Sequence, residues 1–198
     1  METKGVHLTE NWRGNKADAF EGGHRVPFIV RWPGKVAAGA RSNELISVAD
    51  IMATVAEVIG HEIPDDAAED SLSLLPVLKG NQLETPLHEA VVCHSNSGHF
   101  AIRQGKWKIL FCQGSGGWST PREPAAAAKN NLPAIQLYDL EADPKEAKNV
   151  AQDHPEVVSE LSSILRRYIE EGRSTKGPRQ KNHNGTIPWK NVPWENAP

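Results

Sequence analysis

The chain has 198 residues, with 22 Lys and Arg against 25 Asp and Glu and a net charge of −3. A chain of this length buries roughly 70% of the surface its unfolded form exposes, so it needs neither disulfide nor metal staples to fold. Apolar residues at 38% and charged residues at 24% exclude a disordered or low-complexity chain. There is no basic excess to call for a nucleic-acid partner, and no apolar run long enough to span a bilayer as a helix. Two cysteines, Cys93 and Cys112, are too few for a disulfide scaffold; one bridge or two buried thiols are the readings they allow. The segment Met1 to His7 lacks the apolar core a signal peptide needs.

The first fifteen residues are polar and aperiodic. Val26-Pro27-Phe28-Ile29-Val30-Arg31-Trp32 follows, stopped by Pro33-Gly34, and its β-branched, turn-bounded composition predicts a buried strand. From Ser47 to Ile59, Val48, Ile51, Met52, Val55, Val58 and Ile59 recur at three- and four-residue spacing. That pattern predicts a helix with Ser47 as N-cap and Gly60 just past its end. An acidic loop, His61 to Asp70, leads to Leu72, Leu74, Leu75, Val77 and Leu78, a short turn or helix pinned by leucines.

Beyond Pro86 the period changes to two. Val91–Cys93, Phe100–Arg103 and Trp107–Phe111 are short strand-like runs separated by Ser95-Asn96-Ser97-Gly98 and Gln104-Gly105. Loops this short force antiparallel neighbours, hence a meander. A Gly/Ser/Ala-rich loop, Gln113 to Asn131, precedes a fourth strand from Ile135 to Leu140, ended by Asp143-Pro144. The last strong element is a helix from Pro155 to Glu171. Proline suits its first turn, Val157, Val158, Leu161, Ile164, Leu165, Tyr168 and Ile169 form one face, and Gly172 closes it. The tail is irregular, and no internal repeat is present.

This order predicts three parts: residues 1–85, the end of an α/β core; 86–173, a four-stranded antiparallel sheet with a long helix; and 174–198, an irregular tail. One strand and one helix do not make a sheet with two covered faces.

The segment most suggestive of chemistry is Arg13-Gly14-Asn15-Lys16-Ala17-Asp18-Ala19-Phe20-Glu21-Gly22-Gly23-His24-Arg25-Val26-Pro27. A loop carrying both charges and leading into a buried strand is where α/β proteins place ligands. Gly22-Gly23 permits close backbone approach and positive φ. Taken alone, the same residues also read as a Glu21–Arg25 ion pair and a solvated Lys16.

A second candidate is the hairpin Cys93-His94-Ser95-Asn96-Ser97-Gly98-His99, which is either a substrate-contacting rim or an exposed polar turn. A zinc site from Cys93, His94, His99 and Cys112 lacks any familiar ligand spacing. Trp107, Trp118, Trp189 and Trp194 do not form a stacking series, and Trp107 on its strand reads as core. Asn184-Gly185-Thr186 fits a glycosylation acceptor by pattern.

The Arg13–Pro27 segment, continued through Phe28-Ile29-Val30-Arg31-Trp32-Pro33-Gly34, resembles a segment of the formylglycine-dependent sulfatases, the arylsulfatase family. Further blocks resemble that family in the same order. They are Ser47–Thr54, Ser71–Gly80, Ala101-Ile102-Arg103-Gln104-Gly105-Lys106-Trp107-Lys108, Leu137-Tyr138-Asp139-Leu140 with Asp143-Pro144 and Glu146, and the endings Gly172–Thr175 and Gln180–Asn182.

The resemblance implies a sulfuric ester hydrolase of the alkaline-phosphatase-like α/β class, truncated in this chain. It also implies a calcium ion, a formylglycine nucleophile, and a sulfate-ester small molecule or sulfated glycan as partner. Nucleic acid and membrane are not implied. Lys16 sits where the family places a lysine that contacts the sulfate; a compact ammonium offers three donors and a full charge to a developing oxyanion. By the same resemblance His94, Asn96 and His99 are candidate substrate contacts.

Neither cysteine lies in a Cys/Ser-x-Pro-x-Arg motif. The nearest serine version, Ser119-Thr120-Pro121-Arg122-Glu123, has Glu where Arg is required, and Met1 to Trp12 holds no Asp-Asn-Gly calcium segment. Nucleophile and metal ligands are therefore absent from the sequence, and the isolated polypeptide is expected not to turn over an aryl sulfate. Two further readings stand beside this one: a non-enzymatic binding or structural module, and a phosphomonoester or phosphonate hydrolase of the same superfamily. Export, common in such a family, is left open.

Overall fold

The computed structural model describes residues 12–122, 131–182 and 192. They form two compact units. One comprises 12–26 with Val92–Leu165, and the other Pro27–Val91 with 166–182.

The first unit is built on a four-stranded sheet of β1 (Val91–His94), β2 (Phe100–Gln104), β3 (Trp107–Leu110) and β4 (Gln136–Asp139), in that spatial order. β2–β3 and β3–β4 pair antiparallel, with Ala101 opposite Leu110, Arg103 opposite Lys108, and Lys108 opposite Tyr138. The meander thus follows the period-two pattern. Because side chains alternate between faces, Ala101, Arg103, Lys108, Leu110 and Tyr138 share one face. Ile102, Ile109 and Leu137, all fully buried, share the other.

The first face is covered by the chain's N-terminal loop. Ala19 and Phe20 sink into a cluster with Ala101, Leu110, Cys112, Tyr138 and Leu140, and the Phe20 ring meets Tyr138 edge-on. Burying a phenylalanine stabilises by about 2–3 kcal/mol, which fixes this loop to the sheet. Directly after Phe20 the chain makes a single helical turn, α1 (Glu21–His24), which the sequence pattern does not signal. Its glycines serve close approach rather than positive φ. A Cβ on Gly22 would run into the carbonyls of Gly14 and Arg13, and one on Gly23 into that of Asp18.

In the second unit, α2 (Asp50–Ile59) and α3 (Leu75–Leu78) fall in the predicted places, and Gly60 caps α2 in the left-handed conformation. The helix begins two residues later than predicted, with Ala49 in the N-cap position. Ser47 is not the N-cap; its backbone N–H donates to Asp50 Oδ2 at 2.7 Å. Asp50 is buried, accepts the Leu72 N–H at 2.9 Å and pairs with buried His88 at 2.9 Å. The apolar face of α2 is solvent-facing: Val48, Ile51, Met52, Val55, Val58 and Ile59 are all exposed.

The predicted buried strand over Val26–Trp32 is also corrected. These residues adopt no regular structure, and Ile29 is 90% exposed. A strand exists only by pairing its N–H and C=O groups with a neighbour, and no described segment pairs with this one.

The last helix, α3's successor α4 (Pro155–Glu171), has the predicted bounds, and Gly172 leaves it with φ +66°. Leu161, Ile164, Leu165 and Tyr168 are buried. Beyond it, the Arg173 guanidinium is held by the carbonyls of Asp65, Thr175 and Pro178. Among the described residues no helix is long and apolar enough to cross a membrane. The Asn184-Gly185-Thr186 pattern, Trp189 and Trp194 lie outside the described residues.

Candidate functional site

Lys16 sits on an exposed turn whose backbone is held from three sides. The turn closes on itself through the Asp18 N–H donating to Asn15 O at 3.1 Å. The hairpin between β1 and β2 supports it, with the Asn96 N–H donating to Ala17 O at 2.9 Å. The loop after β3 supports it as well, with the Ala19 N–H donating to Ser115 O at 2.8 Å. Ala17 takes φ +88°, a conformation that costs a non-glycine residue on the order of 1 kcal/mol and that these three attachments impose.

The carboxylate at the base of this turn belongs to Asp18, which is fully buried. Its Oδ2 accepts the Asn15 N–H at 2.8 Å, and its Oδ1 accepts the N–H groups of Trp118 and Ser119 at 2.8 and 3.0 Å. A buried carboxylate is tolerable when several backbone donors surround it, and here they tie the Lys16 turn to the Gly117–Ser119 segment. Gly117 lies so close that a Cβ there would strike the Ala17 carbonyl and the Asp18 carboxylate. The Lys16 ammonium pairs with no carboxylate among the described residues.

Behind the turn lies an ionic cluster. Lys108, 2% exposed, reaches Glu21 Oε1 at 3.0 Å and Glu146 Oε1 at 3.3 Å. Glu21 Oε2 also pairs with Arg103 at 3.1 Å and Arg25 at 3.2 Å. Glu146 Oε2 accepts the Glu21 N–H at 2.7 Å, while Arg13 donates to the Glu146 carbonyl and lies 4.0 Å over the Phe20 ring.

The sheet explains the arrangement. Arg103 and Lys108 stand opposite each other on adjacent strands, a like-charge pair that repels unless an anion is set between them. Glu21 is that anion. Burial alone would raise its pKa, but Lys108, Arg103 and Arg25 together hold its carboxyl below the ordinary value. Glu146 is raised, because burial outweighs Lys108. His24, at the end of α1, is pushed down to about 4 by burial and by the nearby Lys108 charge, with the carbonyl of Ala19 and the charge of Glu21 opposing. The cluster is therefore a fastening for α1, and its ions are committed to one another rather than offered to a ligand.

The predicted site residues divide. Asn96 is exposed and attached directly to the Lys16 turn through its backbone. His94, at the exposed end of β1, turns Nδ1 to the Ser95 carbonyl at 2.9 Å. His99 is buried, and its N–H donates to Ser95 Oγ at 3.2 Å. Asp18, given no role of its own within the candidate segment, and Trp118, read only as outside any stacking series, are structurally central to the site. The only signal for Asp18 was an acid two residues past a candidate lysine; two of its three backbone donors, Trp118 and Ser119, lie about a hundred residues away.

Among the described residues no three His, Cys, Asp or Glu side chains converge as a metal site would require. Asp18 has both oxygens engaged by backbone amides, Cys112 is buried, and burial pushes the Cys93 thiol up toward the neutral form. The described residues do not fit a calcium site, so no chemical step is assigned to one.

The fold is that of the alkaline-phosphatase-like sulfatases. The chain superposes on a structure solved for glycosaminoglycan metabolism by Bacteroides thetaiotaomicron with TM-score 0.68 and 36% identity, covering 83% of this chain and 33% of that one. It also superposes on a Pseudoalteromonas sulfatase with TM-score 0.60 and 24% identity, covering 80% and 32%, a likeness of fold alone.

The chain belongs to the sulfatase family: residues 13–119, more than half of it, match the family described as N-sulphoglucosamine sulphohydrolase, C-terminal. An N-acetylgalactosamine-6-O-sulfatase of Bacteroides thetaiotaomicron is 39% identical over 168 residues, 78% of this chain and 29% of its own. Human arylsulfatase A is 35% identical over 181 residues, 85% of this chain and 35% of its own. The chain thus spans about a third of the length of these relatives.

Proposed function

We propose that this chain contributes the sulfate-contacting lysine and part of the substrate rim to a hydrolase of sulfate esters, with Lys16 as the group that meets the sulfate oxygens. The observation that carries the reading is the Lys16 turn. An exposed ammonium, unpaired among the described residues, is held on a backbone immobilised by Asp18, Asn96 and Ser115, within the stretch that matches the family. Catalytic stabilisation of a developing oxyanion requires a donor whose position is settled before the charge appears. A lysine on a loose loop loses that advantage; one on a turn anchored at three points keeps it.

The reaction implied by the family is cleavage of a sulfate ester; one relative is named an N-acetylgalactosamine-6-O-sulfatase and another a steryl-sulfatase, which supports a sulfated sugar or a sulfated steroid as the substrate class. In this chain's share of that reaction, Lys16 holds the anion and disperses charge as the S–O bond to the alcohol lengthens. Asn96, exposed and bonded through its backbone N–H to Ala17 O, offers an amide to the substrate, and His94 stands at the exposed end of β1, where the alcohol portion would lie. Calcium and formylglycine, which such an enzyme uses, have no matching residues in the described structure, and no step here depends on them.

The test is titration of inorganic sulfate into the purified chain, followed by chemical shifts of the Lys16 side chain. Lys16→Ala is expected to abolish the saturable response without altering the amide fingerprint, because the side chain is exposed and makes no ion pair among the described residues. An unchanged sulfate response in Lys16→Ala would overturn the assignment and leave a non-enzymatic module as the better account.

A further inference from the structure

Trp118 stands out among the described residues of the first unit. Together with Val26 it is the only large apolar side chain exposed there, at 51%. Exposing half a tryptophan forgoes much of the largest apolar burial any side chain offers, so its neighbourhood matters.

Its main chain is fixed to the Lys16 turn. The Trp118 N–H donates to Asp18 Oδ1, the next N–H donates to the same oxygen, and Asn15 Nδ2 donates to Ser119 Oγ at 3.4 Å. The preceding Gly117 N–H donates to Ser115 Oγ at 3.1 Å, and that hydroxyl donates to Ser119 O at 2.7 Å. The Arg122 Nε donates to the Trp118 carbonyl. With Gly117 packed against Ala17, ring and ammonium project from two segments that cannot drift apart without breaking the Asp18 bonds.

We propose that Trp118 is a specificity-determining residue that stacks on the C–H face of a pyranose ring whose sulfate is held by Lys16. This rests on the reading of Lys16 given above and narrows it to sulfated sugars. The choice of a sugar follows from what surrounds the ring. A steroid or long-chain alcohol needs an extended apolar lining to cover both of its faces, and among the described residues of this unit Val26 is the only other large apolar side chain exposed. A pyranose has one apolar C–H face and a rim of hydroxyls. It is matched by a single flat aromatic surface on a segment bonded to a polar turn: Asn15 Nδ2 donates to Ser119 Oγ, and Asn96 is bonded to the same turn through its backbone, side chains of the types that donate and accept hydrogen bonds. Stacking of this kind also fixes the ring's orientation, so the ester carried on it is presented to Lys16 in one pose.

The experiment titrates the chain with four probes: methyl galactopyranoside 6-sulfate, whose C3 to C5 face is continuous C–H, unsulfated methyl galactopyranoside, inorganic sulfate, and a steroid sulfate. Binding is followed in every variant by the backbone amide resonances of Ala17 and Asn96 at the Lys16 turn, and in the wild type also by the indole N–H resonance that disappears in Trp118→Phe. Trp118→Ala is expected to weaken the sugar sulfate about tenfold and to leave inorganic sulfate unchanged, while Trp118→Phe retains most of the affinity. Trp118→Leu keeps apolar bulk without a flat ring, and is expected to behave like alanine. Sugar-sulfate binding that is indifferent to Trp118→Ala and Trp118→Leu overturns the platform whatever Lys16 does. So does a steroid sulfate that binds more tightly than the sugar sulfate. Failure of Lys16 instead shows as inorganic sulfate binding unchanged in Lys16→Ala, so the two failures are read on different probes.

Discussion

Replacing Lys108 with methionine tests the structural logic of the site at its most sensitive point. The Nζ lies 3.0 Å from Glu21 and 3.3 Å from Glu146, with the side chain 2% exposed. At an effective dielectric of about 20, each contact is a gross attraction of about 5 kcal/mol. Desolvation of three buried ions offsets most of that sum, so the intact cluster adds little net stability. Removing only the cation is different: it leaves two carboxylates facing each other in a site built for a positive charge. The expected cost is about 3–5 kcal/mol, near the upper end for any single substitution. Urea unfolding, with hydrogen exchange at the β2 and β3 amides as readout, reports it for the first unit specifically. The double variant Lys108→Met with Glu146→Gln keeps the acceptor for the Glu21 N–H and restores charge balance, and is expected to regain more than half of the loss. A Lys108→Met chain as stable as the wild type, or a double variant no better than the single one, would refute the account of Glu21 and Glu146 as anions held by this lysine.

Asp18→Ala removes the acceptor of three backbone N–H groups and is expected to cost about 3 kcal/mol, with Asp18→Asn losing less; the midpoint of urea unfolding measures both. Loosening that turn is also expected to weaken inorganic sulfate binding, which is read in the same titration used for Lys16. His24 stays neutral down to about 4 in the fold, while in the unfolded chain it takes up a proton near 6.5. Stability is therefore expected to fall as pH drops from 6.5 to 4, by about 3 kcal/mol, and His24→Leu is expected to flatten that slope in pH-dependent melts. Glu21, held below its ordinary value, adds a loss in more acid solution, while Glu146, raised by burial, contributes stability that is lost as pH rises through its folded value. On α2, the paired change Met52→Lys and Val55→Glu alters side chains that are about half exposed. It is expected to leave the melting temperature within a degree or two and to raise the concentration at which light scattering still finds a monodisperse chain, since the exposed apolar face favours association. Equal aggregation in the paired variant would show that this face does not drive it.

Local signals were sufficient wherever an element carries its own reason to form. The helix Pro155–Glu171 was legible to the residue, because proline opens it, Gly172 closes it, and seven apolar positions keep helical spacing in between. The four strands were legible because period-two runs bounded by Ser-Asn-Ser-Gly and Gln-Gly turns leave little other choice. The ordered blocks from Arg13 onward were enough to name the family. What the sequence did not carry were partnerships made across the chain. Val26–Trp32 has a strand's composition, but composition cannot supply the neighbouring strand whose amides it needs, and the segment is irregular and exposed. The apolar periodicity of α2 gave the helix correctly but not the burial of its face, which depends on something packing against it. In sequence Lys108 lies in a strand-like run and Glu146 just past Asp143-Pro144, with nothing local to join them. Only folding brings both to Glu21, where burial makes the three interdependent. Asp18 and Trp118 are a hundred residues apart, and neither is marked by any local pattern. A single carboxylate oxygen shared by the Trp118 and Ser119 amides joins them, and that bond is a fact of tertiary structure alone.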